Sequence, residues 1–195
     1  MEIKRDLYLN KLIMSMHNGM IKIVTGIRRC GKSYLLFNLF SDYLKSQGVD
    51  EGHIIKVDLE DRRNKKLRNP DALLEYIDAH ITKEGMHYVM LDEVQWVEEF
   101  EDVLNSYLKI PNVDVYVTGS NSKFLSSDVI TEFRGRGDEI KVAPLSFSEY
   151  FSVFNGSKQE AMEEYLTFGG LPKIATMRGN EEKMKYLQTL FKKTY

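Results

Sequence analysis

The sequence predicts an α/β protein: a parallel five-stranded sheet flanked by helices, followed by a small helical segment. Short β-rich runs alternate with helical patterns from about residue 20 to residue 144, and the strand pattern stops after Pro144. Such alternation is typical of parallel sheets that helices cover on both faces. Of the 195 residues, 43% are hydrophobic, which is enough for one well-buried core and a smaller annex.

Five short runs rich in apolar and β-branched residues predict the strands. They are Met20–Thr25, His53–Leu59, His87–Asp92, Val113–Thr118 and Asp138–Ala143. Ligands of parallel sheets bind outside the carboxyl ends of the strands. The residues that end or follow these runs are therefore the first candidates for a functional site.

Four helices are predicted between the strands, because apolar residues recur there at i, i+3 and i+4. Their apolar stripes cover Leu35–Leu44, Leu73–Ile81, Phe100–Tyr107 and Phe124–Phe133. The first is expected to end before Gly48. The second has Asn69 as its N-cap and Pro70 in its first turn.

The pattern of the segment after Pro144 predicts short helices. Ser146 and Glu149 have the spacing of a capping box, and the "GGLP" stretch breaks the helical pattern that follows. The helical patterns cover Ala161–Phe168 and Glu181–Tyr195. We therefore predict a core domain over residues 1–145 and a helical lid over residues 146–195, and we expect the natural chain to continue beyond that lid.

Composition limits the environment and the partners of the chain. The formal net charge is −2, from 27 basic and 29 acidic residues, so no global field attracts nucleic acid or an anionic membrane. A single cysteine cannot form an internal disulfide, and no apolar run is as long as a membrane span. These features predict a cytoplasmic protein without a membrane partner.

The stretch "GIRRCGKS" has the G-x4-G-K-S spacing of a phosphate-binding loop and lies between a predicted strand and a predicted helix. Glycines allow the backbone N–H groups to converge on one phosphate, and the helix start adds its positive dipole end. Lys32 is expected on the β/γ-phosphates and the Ser33 hydroxyl on Mg²⁺. The predicted nucleotide-binding residues are Gly26, Arg29, Cys30, Gly31, Lys32, Ser33 and Tyr34.

Some residues of that stretch allow more than one interpretation. Cys30 is expected to act through its backbone N–H. Arg28 and Arg29 either hold a neighbouring loop or a partner's carboxylate, or are solvated charges.

Two carboxylates follow the third predicted strand in "YVMLDE". Asp92 is expected to hold the Mg²⁺ and its hydration shell, and Glu93 to orient and deprotonate the attacking water. The fourth strand ends in "TGSN", where Ser120 is the predicted polar sensor of the γ-phosphate and Asn121 is the alternative. The Asp-Glu pair favours water over another phosphate acceptor.

Taken together, GIRRCGKS, LDEVQ, TGSN, FRGRG, PLSFSEY and FGGLP resemble the AAA-type ATPases of archaea and bacteria that carry a C-terminal domain of unknown function. This resemblance covers nearly the whole chain. It implies a sheet of order 5-1-4-3-2, ATP with Mg²⁺, a helical lid and an arginine finger. The finger maps onto Arg136, with Arg134 as the alternative, and acts in trans within a homo-oligomer. The large C-terminal domain is missing here, so a DNA or protein partner is expected to contact that missing region.

The resulting hypothesis is Mg²⁺-dependent ATP hydrolysis coupled to movement of the lid and of a partner. The alternatives are a slowly hydrolysing nucleotide switch that regulates a nucleic-acid or protein partner, and a phosphotransferase. The basic stretch "DRRNKKLRN" either contacts DNA phosphates or forms a solvated loop, and the neighbouring Asp58, Glu60 and Asp61 favour the loop. Trp96 is interpreted as a packing anchor rather than a base-stacking platform.

Overall fold

The computed structural model describes residues 3–81, 84–120, 133 and 135–194. The chain divides into two compact units. The larger unit comprises Asp6–Arg28 and Lys32–Val142, and the helical unit comprises Met1–Arg5, Arg29–Gly31 and Ala143–Tyr195.

The larger unit is built on one sheet of five strands. These are β1 (Ile21–Thr25), β2 (Ile54–Asp58), β3 (His87–Asp92), β4 (Val113–Thr118) and β5 (Gly137–Lys141). All pairs are parallel and the order is β2-β3-β4-β1-β5. The α/β fold class and the strand order implied by the resemblance are both confirmed.

Helices precede and connect these strands. They are α1 (Asp6–Met14), α2 (Lys32–Tyr34), a π-helix (Leu35–Phe40), α3 (Ser41–Ser46), α4 (Pro70–His80) and α5 (Phe100–Tyr107), with 3-10 turns at Glu51–His53, Arg62–Arg68 and Val94–Trp96. Asn69 caps α4 by accepting a hydrogen bond from the Ala72 N–H, as its residue type predicted. Helix α1 was not predicted from the sequence. The helix predicted at Phe124–Phe133 lies almost wholly outside the described residues.

The core of the larger unit explains why these segments fold as they do. Strands β3 and β4 are almost entirely buried, which their apolar, β-branched composition favours. The buried apolar stripe of α5 consists of Phe100, Val103, Leu104 and Tyr107. Burial of such side chains contributes roughly 1.5–3 kcal/mol each, so the sheet is a rigid platform for the loops at its carboxyl edge.

The helical unit contains α6 (Phe147–Phe151), α7 (Lys158–Phe168), α8 (Pro172–Thr176) and α9 (Asn180–Thr194). Ser146 and Glu149 form the predicted capping box at α6. Ser157 and Glu160 form a second one at α7. Within the described part of the chain, no helix is both long and apolar enough to cross a bilayer.

Candidate functional site

Register brings polar residues together at the carboxyl edge of the sheet. Asp58 at the end of β2 lies level with Asp92 at the end of β3. Thr118 ends β4 and lies level with Val24, one residue before the end of β1. The loops that follow β1, β3 and β4 therefore start close together, as a parallel sheet requires.

The loop between β1 and α2 turns through three residues with positive φ. The φ angles are 144° at Gly26, 67° at Arg29 and 100° at Gly31. The two glycines adopt values that strain any residue with a Cβ, whereas Arg29 lies in the left-handed region that other residues visit rarely. Backbone of this kind forms a concavity lined by N–H groups that suits an anion. The helical run from Lys32 to Ser46 begins directly after it.

Lys32 carries a buried charge at the end of this loop. It is 4% exposed, and its Nζ donates to the carbonyl oxygens of Gly26 at 3.1 Å and Ile27 at 3.2 Å. Among the described residues, no carboxylate lies within 4.0 Å of this ammonium. A buried charge normally has a charged partner, because carbonyl dipoles compensate only part of the lost hydration.

Two other buried lysines provide the comparison. Lys22 in β1 is fully buried and pairs with Asp114 of β4, and Lys183 of α9 is 2% exposed and pairs with Glu164 of α7. Each has its carboxylate within its own unit. Within the described part of the chain, Lys32 therefore lacks the carboxylate partner that each of the other two lysines has.

Asp92 supplies a buried carboxylate at the same edge. It is 5% exposed, and the Thr118 hydroxyl donates to its Oδ1 at 2.5 Å. Burial raises the pKa of Asp92, while hydrogen bonds from Thr118 and Ser33 oppose that rise. The Ser33 hydroxyl and the Asp92 carboxylate are thus adjacent oxygen ligands of the kind that Mg²⁺ prefers.

Replacing Asp92 by asparagine is expected to stabilise the ligand-free protein. Because burial raises its pKa above the ordinary 3.8, the folded state binds this proton more tightly than the unfolded chain. The free energy of unfolding therefore falls as pH rises from the ordinary pKa of aspartate to the raised pKa of folded Asp92. Above the raised pKa, the full destabilisation by the buried charge is present. Asparagine still accepts from Thr118, so we expect a gain of ~1 kcal/mol, or about 2–4 °C in Tm.

Thermal unfolding of the wild type and of Asp92→Asn between pH 4 and pH 8 measures this gain. The exposed Asp42 lies on the helical run after the loop, so Asp42→Asn is the matched control and should leave the pH profile unchanged. If Asp92→Asn is no more stable than the wild type at pH 8, the buried charge of Asp92 does not destabilise the ligand-free protein.

Glu93 is held in an unusual backbone conformation. Its φ and ψ are 53° and 51°, in the left-handed region, and its N–H donates to Thr118 Oγ1 at 3.0 Å. A left-handed glutamate is strained, and such strain concentrates at functional sites. The Thr118 hydroxyl thereby orients both acidic residues, one through its side chain and one through its backbone.

The carboxylate of Glu93 accepts hydrogen bonds from two side chains. Ser120 Oγ lies 2.8 and 2.7 Å from its two oxygens, and Gln95 Nε2 donates to Oε2. Gln95 Oε1 is buried and has no hydrogen-bond partner among the described residues. The structure thus brings the predicted base Glu93 and the predicted sensor Ser120 together.

Sequence reasoning missed two residues of this cluster. From the sequence, Thr118 is only the last residue of a predicted strand, and Gln95 is only one residue of "LDEVQ". The signal for Thr118 was a hydroxyl residue closing an otherwise apolar strand beside a carboxylate-bearing one. No residue pattern indicated that Gln95 turns back to Glu93.

The middle of the loop is held within the helical unit. Arg5 Nη1 donates to the Cys30 carbonyl oxygen at 3.1 Å, and its Nε pairs with Glu149 at 3.0 Å. That carbonyl shares a peptide group with the next N–H, so Arg5 fixes the orientation of the Gly31 amide. The Arg29 guanidinium lies 5.3 Å from the ring centroid of Tyr186.

The remaining predicted residues lie apart from this cluster or outside the described chain. Tyr34 follows Ser33 on the helical run and is 43% exposed. Arg136 is exposed immediately before β5, with Nη1 3.4 Å from Asn105 Oδ1. The alternatives Asn121 and Arg134 lie outside the described residues.

Comparison with known proteins gives consistent results. The sequence profile described as an AAA domain matches residues 18–151. An uncharacterized protein of Haemophilus influenzae is 32% identical over 178 residues, covering 88% of this chain and 44% of the relative. One of Methanocaldococcus jannaschii is 28% identical over 180 residues, covering 86% and 39%. The chain therefore spans less than half the length of these curated relatives.

Solved structures share the fold. A Walker-type ATPase of Pyrococcus abyssi superposes with a TM-score of 0.62 at 18% identity, over 89% of this chain and 66% of that one. PCH-2 of C. elegans gives 0.52 at 17%, over 90% and 46%. The Aeropyrum pernix ORC1 protein, solved in complex with DNA, gives 0.51 at 13%, over 84% and 50%.

Proposed function

Since the chain belongs to the AAA domain family, we propose that it binds ATP with Mg²⁺ and hydrolyses the β–γ anhydride. One observation carries the proposal: Lys32 is a buried ammonium without a carboxylate among the described residues, at the end of a loop whose backbone suits an anion. A triphosphate supplies the missing charge. Asp92 provides a carboxylate, and Ser33, which hydrogen-bonds to it, provides a hydroxyl.

Nucleotide binding would use the loop and the start of the helical run. The N–H groups of the loop donate to the phosphates, and Lys32 exchanges its carbonyl partners for phosphate oxygens. The residues assigned to this task are Gly26, Arg29, Cys30, Gly31, Lys32, Ser33 and Tyr34. Ser33 and Asp92 would hold Mg²⁺, which when bound neutralises charge on the β- and γ-phosphate oxygens.

Hydrolysis would use Glu93 as general base. The carboxylate accepts a proton from water, the water oxygen forms a bond to the γ-phosphorus, and the bridging oxygen leaves on ADP with its electron pair. The products are ADP, inorganic phosphate and one proton on Glu93. Ser120 contacts Glu93 directly, so it can both hold the base and respond to the γ-phosphate.

The observed hydrogen bonds of Glu93 also support a second candidate, a slowly hydrolysing switch. Ser120 and Gln95 both donate to the carboxylate, so these two donors compete with an attacking water for its oxygen atoms. Hydrolysis would then be slow until a conformational change releases Glu93. Single-turnover rates with and without a partner distinguish this switch from a constitutive ATPase.

The coupling of nucleotide state to movement is part of the same proposal. We assign the core to residues 1–145 and a lid to residues 146–195, and we assign the finger to Arg136 of a second copy. Residues of the helical unit hold the Cys30 carbonyl and the Arg29 guanidinium. Changes in the loop on phosphate binding would therefore be transmitted to helices of that unit.

Replacing Lys32 by alanine tests nucleotide binding. Because the ammonium is buried and has no carboxylate partner among the residues that the structure describes, its removal should not destabilise the fold. Affinity for Mg·ATP should fall at least about 10-fold, or 1.4 kcal/mol. Titration calorimetry measures the affinity and thermal unfolding checks the fold. The exposed Lys109 provides the control variant Lys109→Ala, and wild-type affinity in Lys32→Ala would refute the proposal.

A further inference from the structure

The basic stretch after β2 is a 3-10 helix, not the solvated loop favoured by the sequence. It spans Arg62–Arg68. A 3-10 helix has 3.0 residues per turn and rises about 2.0 Å per residue, so every third side chain is aligned about 6 Å further along the axis. Arg62, Lys65 and Arg68 therefore form one row of cations.

The neighbouring acidic residues already form ion pairs or hydrogen bonds with other groups. Arg63 Nη2 pairs with Asp61 at 2.5 Å, and Arg28 pairs with Glu60 at 2.8 Å. Asp58 Oδ1 accepts hydrogen bonds from two backbone N–H groups. The exposed side chains of Arg62, Lys65 and Lys66 have no carboxylate within 4.0 Å among the described residues. The formal net charge of −2 for the whole chain thus hides a local patch of uncompensated positive charge.

Trp96 stands beside this row and is not the packing anchor expected from the sequence. It is 48% exposed, and the Arg68 guanidinium lies 4.4 Å from its ring centroid. Arg68 is itself fixed, because Nε donates to the Leu59 carbonyl at 2.8 Å and Nη2 to the Glu60 carbonyl at 3.0 Å. The indole is therefore held in place by a cation while about half of its surface stays open.

We propose that Arg62, Lys65, Lys66 and Trp96 bind single-stranded nucleic acid. A row of cations that tracks a phosphate backbone beside an aromatic platform is the arrangement that binds single strands without sequence preference. The row spacing is of the order of the distance between successive phosphates in such a strand. An acidic peptide would satisfy the lysines but leaves the half-open indole without a flat partner, and a duplex keeps its bases stacked internally.

Trp96 is the only tryptophan of the chain, which provides a direct probe. A dT20 oligonucleotide is titrated into the full chain at 50 mM and 200 mM salt without ATP. Binding is followed by anisotropy of a 5′-fluorescein label and, with unlabelled oligonucleotide, by indole fluorescence. We expect saturable binding that quenches the indole and weakens with salt, because lysine contacts release counterions.

Two variants separate the platform from the charges. Trp96→Leu should weaken dT20 binding about 10-fold through lost stacking. The double variant Lys65→Ala/Lys66→Ala should reduce the salt dependence by one to two phosphate contacts. The controls are Phe191→Ala, another exposed aromatic residue, and Lys109→Ala/Lys141→Ala, two exposed lysines elsewhere. Neither control should change the affinity.

The outcomes decide between partners. No binding of dT20 at 50 mM salt, unchanged affinity in Trp96→Leu, or equal affinity for a duplex would overturn the proposal. Equal competition by poly-glutamate without quenching would assign the surface to an acidic protein instead. Because the titrations contain no ATP, Lys32→Ala should bind dT20 normally, so failure here is distinct from failure of the proposed ATPase.

Discussion

Glu93→Gln is expected to bind Mg·ATP like the wild type and to hydrolyse it about 10²- to 10⁴-fold more slowly, the usual contribution of a general base. Glutamine keeps the length of the side chain and still accepts a hydrogen bond from Ser120, but it does not take a proton from water. Single-turnover hydrolysis of radiolabelled ATP measures the chemical step, and calorimetry measures affinity. The fold should persist because the substitution removes no packing.

The control for this variant is Glu98→Gln, which makes the same chemical change at an exposed glutamate five positions further along. It should hydrolyse ATP at the wild-type rate. Hydrolysis by Glu93→Gln at the rate of this control would show that Glu93 is not the base. A parallel loss of ATP affinity would instead assign Glu93 to binding.

The parts of the fold that the sequence predicted are those governed by local patterns. Apolar β-branched runs bounded by turns located the five strands to within two residues, and an Asn-Pro pair located the start of α4. The glycines of the phosphate loop were predictable for the same reason, because positive φ restricts the residue type at those positions. Asp92 and Glu93 followed from their place at the end of a strand.

The parts that the sequence did not predict depend on side chains that meet across the sheet. Thr118 contacts Asp92 only because the register of β3 and β4 brings their ends level. Gln95 donates to Glu93 across a turn in which Glu93 has a left-handed backbone, and no residue type in the sequence demands that conformation. The exposure of Trp96 was missed because a lone tryptophan after an apolar strand usually packs inward.

The position of Arg136 leads to the second large expected effect. Arg136 immediately precedes β5, whose first residue pairs with Ile21 at the start of β1. The phosphate loop follows the opposite end of β1, so Arg136 and Gly26 are separated by about 20 Å along the strands at roughly 3.3 Å per residue. An arginine side chain does not span that distance. If Arg136 is a finger, it therefore serves the nucleotide of another copy.

Hydrolysis should then depend on protein concentration, and Arg136→Ala should lose activity by the 10³- to 10⁵-fold that such fingers contribute in other NTPases. Arg136→Ala keeps its own phosphate loop, whereas Lys32→Ala keeps its finger. Each variant alone should be nearly inactive. Mixed in equal amounts, they should recover activity at interfaces that pair an intact loop with an intact finger.

Light scattering on the same mixture establishes whether the two variants assemble together, and titrating one variant against the other gives the dependence on mixed interfaces. Lys109→Ala mixed with Lys32→Ala is the matched control, since that pair contains intact fingers on every copy and intact loops on half. If Arg136 acts in trans, the Arg136→Ala and Lys32→Ala mixture should recover activity and the control mixture should be active. If the Arg136→Ala and Lys32→Ala mixture co-assembles yet stays as inactive as its parents, while the control mixture is active, Arg136 is not a trans finger. Arg134 would then be the next candidate for the arginine finger.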